Sequence, residues 1–259
     1  MLFRSPVQIT FLGTGTSQGV PVIGCTCEVC RSMDFRDKRL RTSIWIRNGE
    51  ESYVIDTGPD FRQQMLRERV SKLDAVIFTH AHKDHTAGLD DVRSFNFLQS
   101  AHMPLYGRLE VLQQIRLEFS YAFGEKKYPG IPQLELHELD GQPFTLGTTT
   151  FIPLPVTHLK LPVLGFRIRN FAYITDANFI PDETYEKLKG LDILVLNALQ
   201  REKHVSHFNL DEAIEVAKRI GAKQTWFTHM SHRMGRHSEI DAQLDKDIRL
   251  AWDGLRINC

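Results

Sequence analysis

The apolar run Ala75-Val76-Ile77-Phe78 ends abruptly in Thr79-His80-Ala81-His82-Lys83-Asp84-His85. Four potential metal ligands, His80, His82, Asp84 and His85, thus fall within six residues. Ligands that alternate along a strand-end loop can point into one cleft, and this ties the chain to a fold that opens such a cleft at the end of a sheet. Imidazole nitrogens and a carboxylate oxygen are the donors of a transition-metal site. Histidine-rich loops also occur on solvated surfaces. Here further candidates, His158, Asp176 and His229, each follow an apolar run downstream, which favours a metal site over that bland alternative.

The periodicity predicts many strands and fewer helices. Strands are expected at Val7–Leu12, Ser43–Arg47, Tyr53–Asp56, Ala75–Thr79, Thr150–Pro155, Gly165–Arg169, Phe171–Thr175, Ile193–Leu196 and Thr225–Thr228. Asn170 marks a tight hairpin between two of them. Helices are expected at Phe61–Val70, Leu109–Phe123, Asp182–Lys189, Leu210–Ile220 and Glu239–Leu250. Asn209 with Glu212 forms a capping pair for the fourth helix and Gly221 closes it, while Ser238 with Asp241 is a weaker cap for the last. Pro129–Pro132 and Pro153–Pro162 read as loops. Two halves of this kind suit sheets packed face to face with helices outside.

At 259 residues the chain can bury a substantial core, and it is expected to form a single domain over residues 1–259. Its 32 basic and 32 acidic residues cancel, so net charge provides no pull toward nucleic acid or an anionic membrane. No apolar run reaches transmembrane length and the start of the chain lacks a secretory pattern, which makes the cytoplasm the expected compartment. Four cysteines are too few for a disulfide scaffold. Three of them, Cys25-Thr26-Cys27-Glu28-Val29-Cys30, are spaced as ligands of one zinc ion, in a loop at about residues 18–32.

In order along the chain come Phe11-Leu12-Gly13-Thr14-Gly15-Thr16-Ser17, a strand ending at Asp56 with Gly58, His80-x-His82-x-Asp84-His85, then His158, Asp176 and His229. Together these motifs resemble the metallo-beta-lactamase-fold hydrolases, from about Val7 to about His232. The resemblance implies an α/β fold of αββα type, two packed mixed sheets with outer helices. It also implies two catalytic divalent metals, zinc or manganese: His80, His82 and His158 hold one, Asp84, His85 and His229 the other, and Asp176 bridges them. Two nearby cations activate water and clamp a phosphate oxygen. Relatives with di-iron redox centres usually carry Glu where His82 stands, so histidine here favours hydrolysis. Asp56 is either a plain strand end or, as the resemblance implies, a support for a ligating histidine.

The cysteine loop narrows the resemblance to the bacterial phosphoribosyl cyclic phosphodiesterases, in which such a loop and the second His of Thr-His-x-x-His hold a structural zinc. Cys25, Cys27, Cys30 and His232 are then its ligands, with Cys259 the alternative fourth. The same resemblance makes His207, ahead of Ala213, the residue that faces the scissile phosphate and assists the leaving oxygen, while Asp84 orients or deprotonates the attacking water. Related tRNA-processing nucleases carry a Glu where Asn197 stands, and they carry an inserted arm that is missing here. The expected substrate is therefore a small cyclic phosphodiester, with nucleic acid disfavoured, no membrane partner and a homodimer plausible for the family. Alternatives are an RNA-processing endonuclease, an ester or thioester hydrolase and a non-catalytic metal-binding protein. Tyr121–Gly130, with Lys126 and Lys127, is a candidate lid, and His102, His137, His204 and His237 read as surface or packing residues.

Overall fold

The computed structural model describes residues 6–124 and 128–259. The first sheet contains β1 (Gln8–Gly13), β2 (Ser43–Asn48), β3 (Glu51–Ile55), β4 (Ala75–Ile77), β5 (Met103–Gly107), β6 (Leu134–Glu138) and, from the far end of the chain, β14 (Arg256–Asn258). Its order is β14-β1-β2-β3-β4-β5-β6. The second sheet contains β7 (Phe144–Leu146), β8 (Thr149–His158), β9 (Leu161–Ile168), β10 (Phe171–Ile174), β11 (Ile193–Asn197), β12 (Gln224–Thr228) and β13 (Ile248–Leu250), in the order β13-β12-β11-β10-β9-β8-β7. Each sheet is mixed: antiparallel pairs give way to parallel ones at β3 and at β10.

Alternation along the strands builds three cores. Tyr53 and Ile55 point between the sheets, against Phe151, Phe166 and Tyr173. Val54 points the other way, onto Phe61 and Met65 of α2 (Phe61–Glu68), Phe95 of α4 (Arg93–Gln99) and Ile115 of α5 (Leu109–Glu118). In β11, Val195 faces the sheet interface, whereas Leu194 and Leu196 face α8 (Leu210–Ile220) through Ala213 and Ala217. Helices thus cover both outer faces, giving the αββα architecture. Each buried Leu, Ile or Phe contributes about 1.5–3 kcal/mol. The remaining helices are α1 (Glu28–Arg31), α3 (Lys83–Thr86), α6 (Ser120–Phe123), α7 (Asp182–Lys187) and α9 (His237–Asp241). No helix among the described residues is long and apolar enough to cross a membrane.

Several expectations need correction. Glu239–Leu250 is not one helix. It stops at Asp241, and Ile248–Leu250 instead extends the second sheet parallel to β12. The Asp241 carboxylate accepts from Leu250 N–H at 2.9 Å, which fixes this reversal. Ser238 caps nothing, since the helix opens at Arg236 without a side-chain cap. Leu109–Phe123 breaks at Phe119 (φ −105°, ψ 34°) into α5 and α6. The first predicted helix ends at Glu68, where Arg69 turns left-handed (φ 55°). Pro153–Pro162 is not a loop, because Pro153 and Pro155 lie inside β8. Beyond Phe151 that strand has lost its pairing to β7, so residues that cannot donate sit on an open edge.

The hairpin at Asn170 and the Asn209–Glu212 capping box form as expected, and Gly221 (φ 69°) closes α8. Lys126 and Lys127 of the candidate lid lie outside the described residues.

Candidate metal centre and adjoining cleft

The donors gather where strands of both sheets end. After β4 the chain runs through Thr79 to His80 and His82, then enters α3 with Asp84 and His85. His158 is the last residue of β8, Asp176 stands two residues beyond β10, and His229 directly follows β12. Three residues of this ring, Asp56, Asp176 and His229, have left-handed backbones (φ 66°, 52° and 58°). That conformation costs a non-glycine residue about 1–2 kcal/mol, and here it turns the Asp176 and His229 side chains into the donor group and Asp56 toward His85 behind it.

Metal-ligating atoms of Asp84, His85, Asp176 and His229 lie within 4.8 Å of one another, as do those of His158, Asp176 and His207. Asp176 is common to both groups. Its Oδ1 lies 3.1 Å from His229 Nε2 and 3.1 Å from His207 Nε2, and its Oδ2 lies 3.2 Å from His85 Nε2. His80 Nε2 approaches the same carboxylate at 3.9 Å. The His80 and His82 rings lie beside each other with centroids 4.6 Å apart, and the His82 and His158 rings at 5.2 Å. All seven expected donors therefore converge. His207, expected to face the scissile phosphate, stands among them.

Hydrogen bonds behind the ring fix which nitrogen faces the cleft. His158 Nδ1 donates to the Ser206 carbonyl at 2.7 Å, leaving Nε2 free to accept from the cleft side. His85 Nδ1 donates to Asp56 Oδ2 at 2.7 Å, and Asp56 also accepts from Thr79 N–H and hydroxyl. Asp56 therefore supports a histidine of the donor group and is more than a plain strand end.

Burial opposes charge on Asp176, yet His229 and His85 outweigh it and hold its carboxyl well below the usual range. Burial likewise works against a proton on His85 and His229. The surrounding carboxylates prevail, raising His85 well above its ordinary value and His229 to about 9. Burial pushes His207 down to about 4, with Asp176 opposing the shift. Nε2 of His80 and His85 and both ring nitrogens of His229 are buried without a hydrogen-bond partner. Orphaned buried nitrogens of this kind are costly unless something binds them. The donor chemistry and these open nitrogens fit a dinuclear metal site.

At the neighbouring loop, Cys25, Cys27 and Cys30 Sγ lie 3.2, 3.5 and 3.6 Å from His232 Nδ1. Sulfur and nitrogen bound to one tetrahedral zinc would be separated by about 3.6 Å, given the usual bond lengths. The four donors fit that ion. The N–H of Cys30 donated to Cys27 Sγ helps draw the Cys27 thiol down to about 6, while burial pushes Cys30 up to about 11. Cys259 is elsewhere, paired with Val7 on the edge of the first sheet.

His207 is held by its neighbours: Phe208 N–H donates to Ala177 O and Leu199 N–H to Phe208 O, both at 2.9 Å. Asn197 clamps the same loop, exchanging two 2.9 Å hydrogen bonds with the backbone of Ala177. His204 lies exposed beside His207, and His237 is fully buried against Trp252. A small cleft of about 310 Å³ opens beside His207, lined in part by Thr16, Gln18 and Arg233. Thr16 belongs to the N-terminal motif behind the family resemblance, whereas Gln18 and Arg233 had no role assigned from the sequence. Arg233 stands directly after the zinc-loop ligand candidate His232, and nothing else in the sequence marks it.

Two seven-stranded mixed sheets under outer helices, with a His/Asp centre at their shared end, are the architecture of the metallo-beta-lactamase fold. The chain belongs to the beta-lactamase superfamily, whose domain profile matches residues 52–230. It is 42% identical to a protein of known crystal structure described as a new diphosphatase from the PhnP family, over 98% of both chains with a TM-score of 0.93. It is 40% identical over 96% of its length to a Porphyromonas gingivalis protein named octanoyltransferase, of which it spans only 51%. A Mycobacterium bovis ribonuclease Z is 25% identical, over 90% of this chain and 89% of that protein.

Proposed function

We propose that the chain hydrolyses a small phosphodiester, of the phosphoribosyl cyclic phosphate type. His80, His82 and His158 would hold one cation and Asp84, His85 and His229 the other, with Asp176 available to both. Cys25, Cys27, Cys30 and His232 take a structural zinc. When bound, the two catalytic metals, zinc or manganese, supply Lewis acidity and acidify water. Asp84 orients the attacking water and takes its proton. Water adds to phosphorus, the P–O bond to the departing alkoxide breaks, and that oxygen needs a proton.

The position of His207 carries this reading. Its Nε2 is 3.1 Å from the shared Asp176, while its Nδ1 lies 3.1 Å from Ser206 Oγ and 3.4 Å from Nδ1 of the exposed His204. An imidazole so placed can hand a proton from Nε2 to the leaving oxygen and regain one at Nδ1 from the solvent side. It need not be charged at rest, in keeping with its depressed pKa.

The likeness to ribonuclease Z favours a second reading, RNA processing. Against it stands Asn197, which occupies its buried site as a backbone clamp and supplies no acid.

The test is turnover of bis(p-nitrophenyl) phosphate by metal-stripped protein reloaded separately with manganese and zinc. A phosphomonoester and an octanoyl thioester run alongside, the latter because of the octanoyltransferase relative. Metal-dependent cleavage of the diester alone supports the proposal. His207→Ala should then lower kcat by roughly 10²–10⁴. Cleavage of the thioester alone, or full activity of the variant, would overturn the reading or the role of His207 respectively.

A further inference from the structure

Arg39 is the largest fully buried side chain among the described residues, with 0% of its side-chain surface exposed. A guanidinium out of water is costly unless an opposite charge and hydrogen bonds compensate it. One buried carboxylate, Asp37, stands within reach at 3.4 Å. The other contacts are two backbone carbonyls, Arg36 O at 3.3 Å and Ser231 O at 3.2 Å. Ser231 lies two residues beyond His229 and directly before His232. The buried cation therefore holds, from far away in the chain, a loop that carries a candidate ligand of each metal site.

His229 needs such support more than its neighbours do. Nδ1 of His80 meets Thr79 Oγ1 at 2.9 Å, Nδ1 of His85 meets Asp56 at 2.7 Å, and Nδ1 of His158 meets the Ser206 carbonyl at 2.7 Å. Nδ1 of His229 is buried and has no hydrogen-bond partner among the described residues. A ligating histidine is ordinarily aimed by a bond on its far nitrogen. Without one, the direction of His229 is set by its left-handed backbone (φ 58°) and by whatever fixes the loop behind it. Neutral bonds hold two amides there: Met230 N–H donates to Thr14 O and Ser231 N–H to Leu199 O, both at 2.8 Å. The Ser231 carbonyl is held by a charge, and charge-assisted bonds are the stronger kind. Because the Ser231–His232 peptide is planar, fixing its oxygen also fixes the start of His232. Arg39 is tied to the cysteine loop as well. It exchanges backbone bonds of 2.7 and 2.8 Å with Val20, which packs in one cluster with Val29 and Cys30.

We infer that Arg39 is a positioning residue: through the Ser231 carbonyl it aims His229 into the metal centre, and through Val20 it passes the state of the cysteine loop to that ligand. The inference rests on the dinuclear reading of the centre and is independent of the substrate.

The test is calorimetric titration with manganese, which disfavours thiolates and so reads the His/Asp centre alone. Wild type should take up two equivalents. In Arg39→Met one of them should bind about 10–100-fold more weakly, the usual effect of losing a ligand's support, while the other stays close to wild type. Arg39→Lys keeps the charge without the planar fork and should fall between, at about threefold or more. In a His229→Ala background, Arg39→Met should leave the remaining equivalent unchanged. Cys27→Ser should weaken the same equivalent as Arg39→Met, and the double variant should lose less than the product of the two effects. Unchanged affinity in Arg39→Met overturns the positioning role. Tighter binding overturns it too, since that is what removing a mere neighbouring positive charge would give. Effects of Arg39→Met and Cys27→Ser that multiply overturn the link to the cysteine loop. Leu191→Ala, a core truncation ahead of β11, should lower the melting temperature and move neither equivalent. If it weakens manganese binding as Arg39→Met does, the role of Arg39 is merely structural. Should Arg39→Met not fold, Arg39→Lys decides, and wild-type affinity in it refutes the inference. Uptake of a single equivalent by wild type sinks the dinuclear reading, and the dependence of that equivalent on Arg39 then decides the inference by itself. No uptake at all refutes both.

Discussion

The Asp56 carboxylate stands 2.7 Å from His85 Nδ1 and thereby aims the opposite nitrogen at Asp84 and Asp176, 3.4 and 3.2 Å away. Burial pushes the Asp56 carboxyl up, and the His85 charge and the Thr79 donors hold it partly in check. Asp56→Asn keeps the shape and removes the charge. Metal affinity at the His/Asp centre should fall about 10–100-fold, as is usual when a supporting partner of a ligand is changed. Metal content after dialysis against graded chelator measures this. Wild-type retention in the variant would show that Asp56 is only a strand end.

Gly58 allows the loop after β3 to press against the start of α3. A methyl group there would lie 2.2 Å from the carbonyl oxygen of Asp84. Gly58→Ala must displace Asp84, so both stability and metal retention should drop, stability by about 1–3 kcal/mol or more. Gly124→Ala, where the nearest atom is 3.8 Å away, is the control and should stay within about 0.5 kcal/mol in urea unfolding.

The cysteine loop is joined to the catalytic ring through only two intervening residues, Met230 and Ser231, between His229 and His232. Cys27→Ser should cost one zinc equivalent by elemental analysis and lower the melting temperature by roughly 5–15 °C. It should also weaken metal retention at the His/Asp centre. Unchanged melting with full metal content would separate the two sites.

Burial, and next the nearby Arg39 charge, push the His237 imidazole down to about 4. A depressed folded pKa means that the unfolded chain binds more protons between about 4 and 6.5. The contribution is therefore fully present above about 6.5 and is lost as pH falls toward 4. The full shift corresponds to about 3 kcal/mol. His237→Phe should flatten the fall in stability between pH 7 and pH 5 relative to wild type. Parallel pH profiles would contradict the assignment.

The centre was legible because its donors follow strands whose apolar runs are themselves conspicuous, as at Phe78, Thr175 and Thr228. Where the chain departed from expectation, a local pattern was ambiguous. Ile240, Leu244 and Ile248 repeat every four residues and read as helix, yet Ile248 is drawn into the sheet beside Thr225. Edge strands β6 and β7 are half exposed, so their alternation is weak. Arg39, fully buried and held by Asp37 and the Ser231 carbonyl, looks like any surface arginine in the sequence. The pairing of His207 with Asp176 spans 31 positions and has no local signature.

His80, His82, Asp84 and His85 hang from the first sheet, and His158, Asp176 and His229 from the second. Between the sheets at that end run hydrogen bonds such as Leu164 N–H to Thr79 O at 3.1 Å and Thr42 to Thr228 at 2.8 Å. Cations seated among these donors would rivet one half of the chain to the other, as a disulfide would in a secreted protein. On the proposed reading, metal supply would govern how long the polypeptide survives a protease as well as whether it turns over substrate.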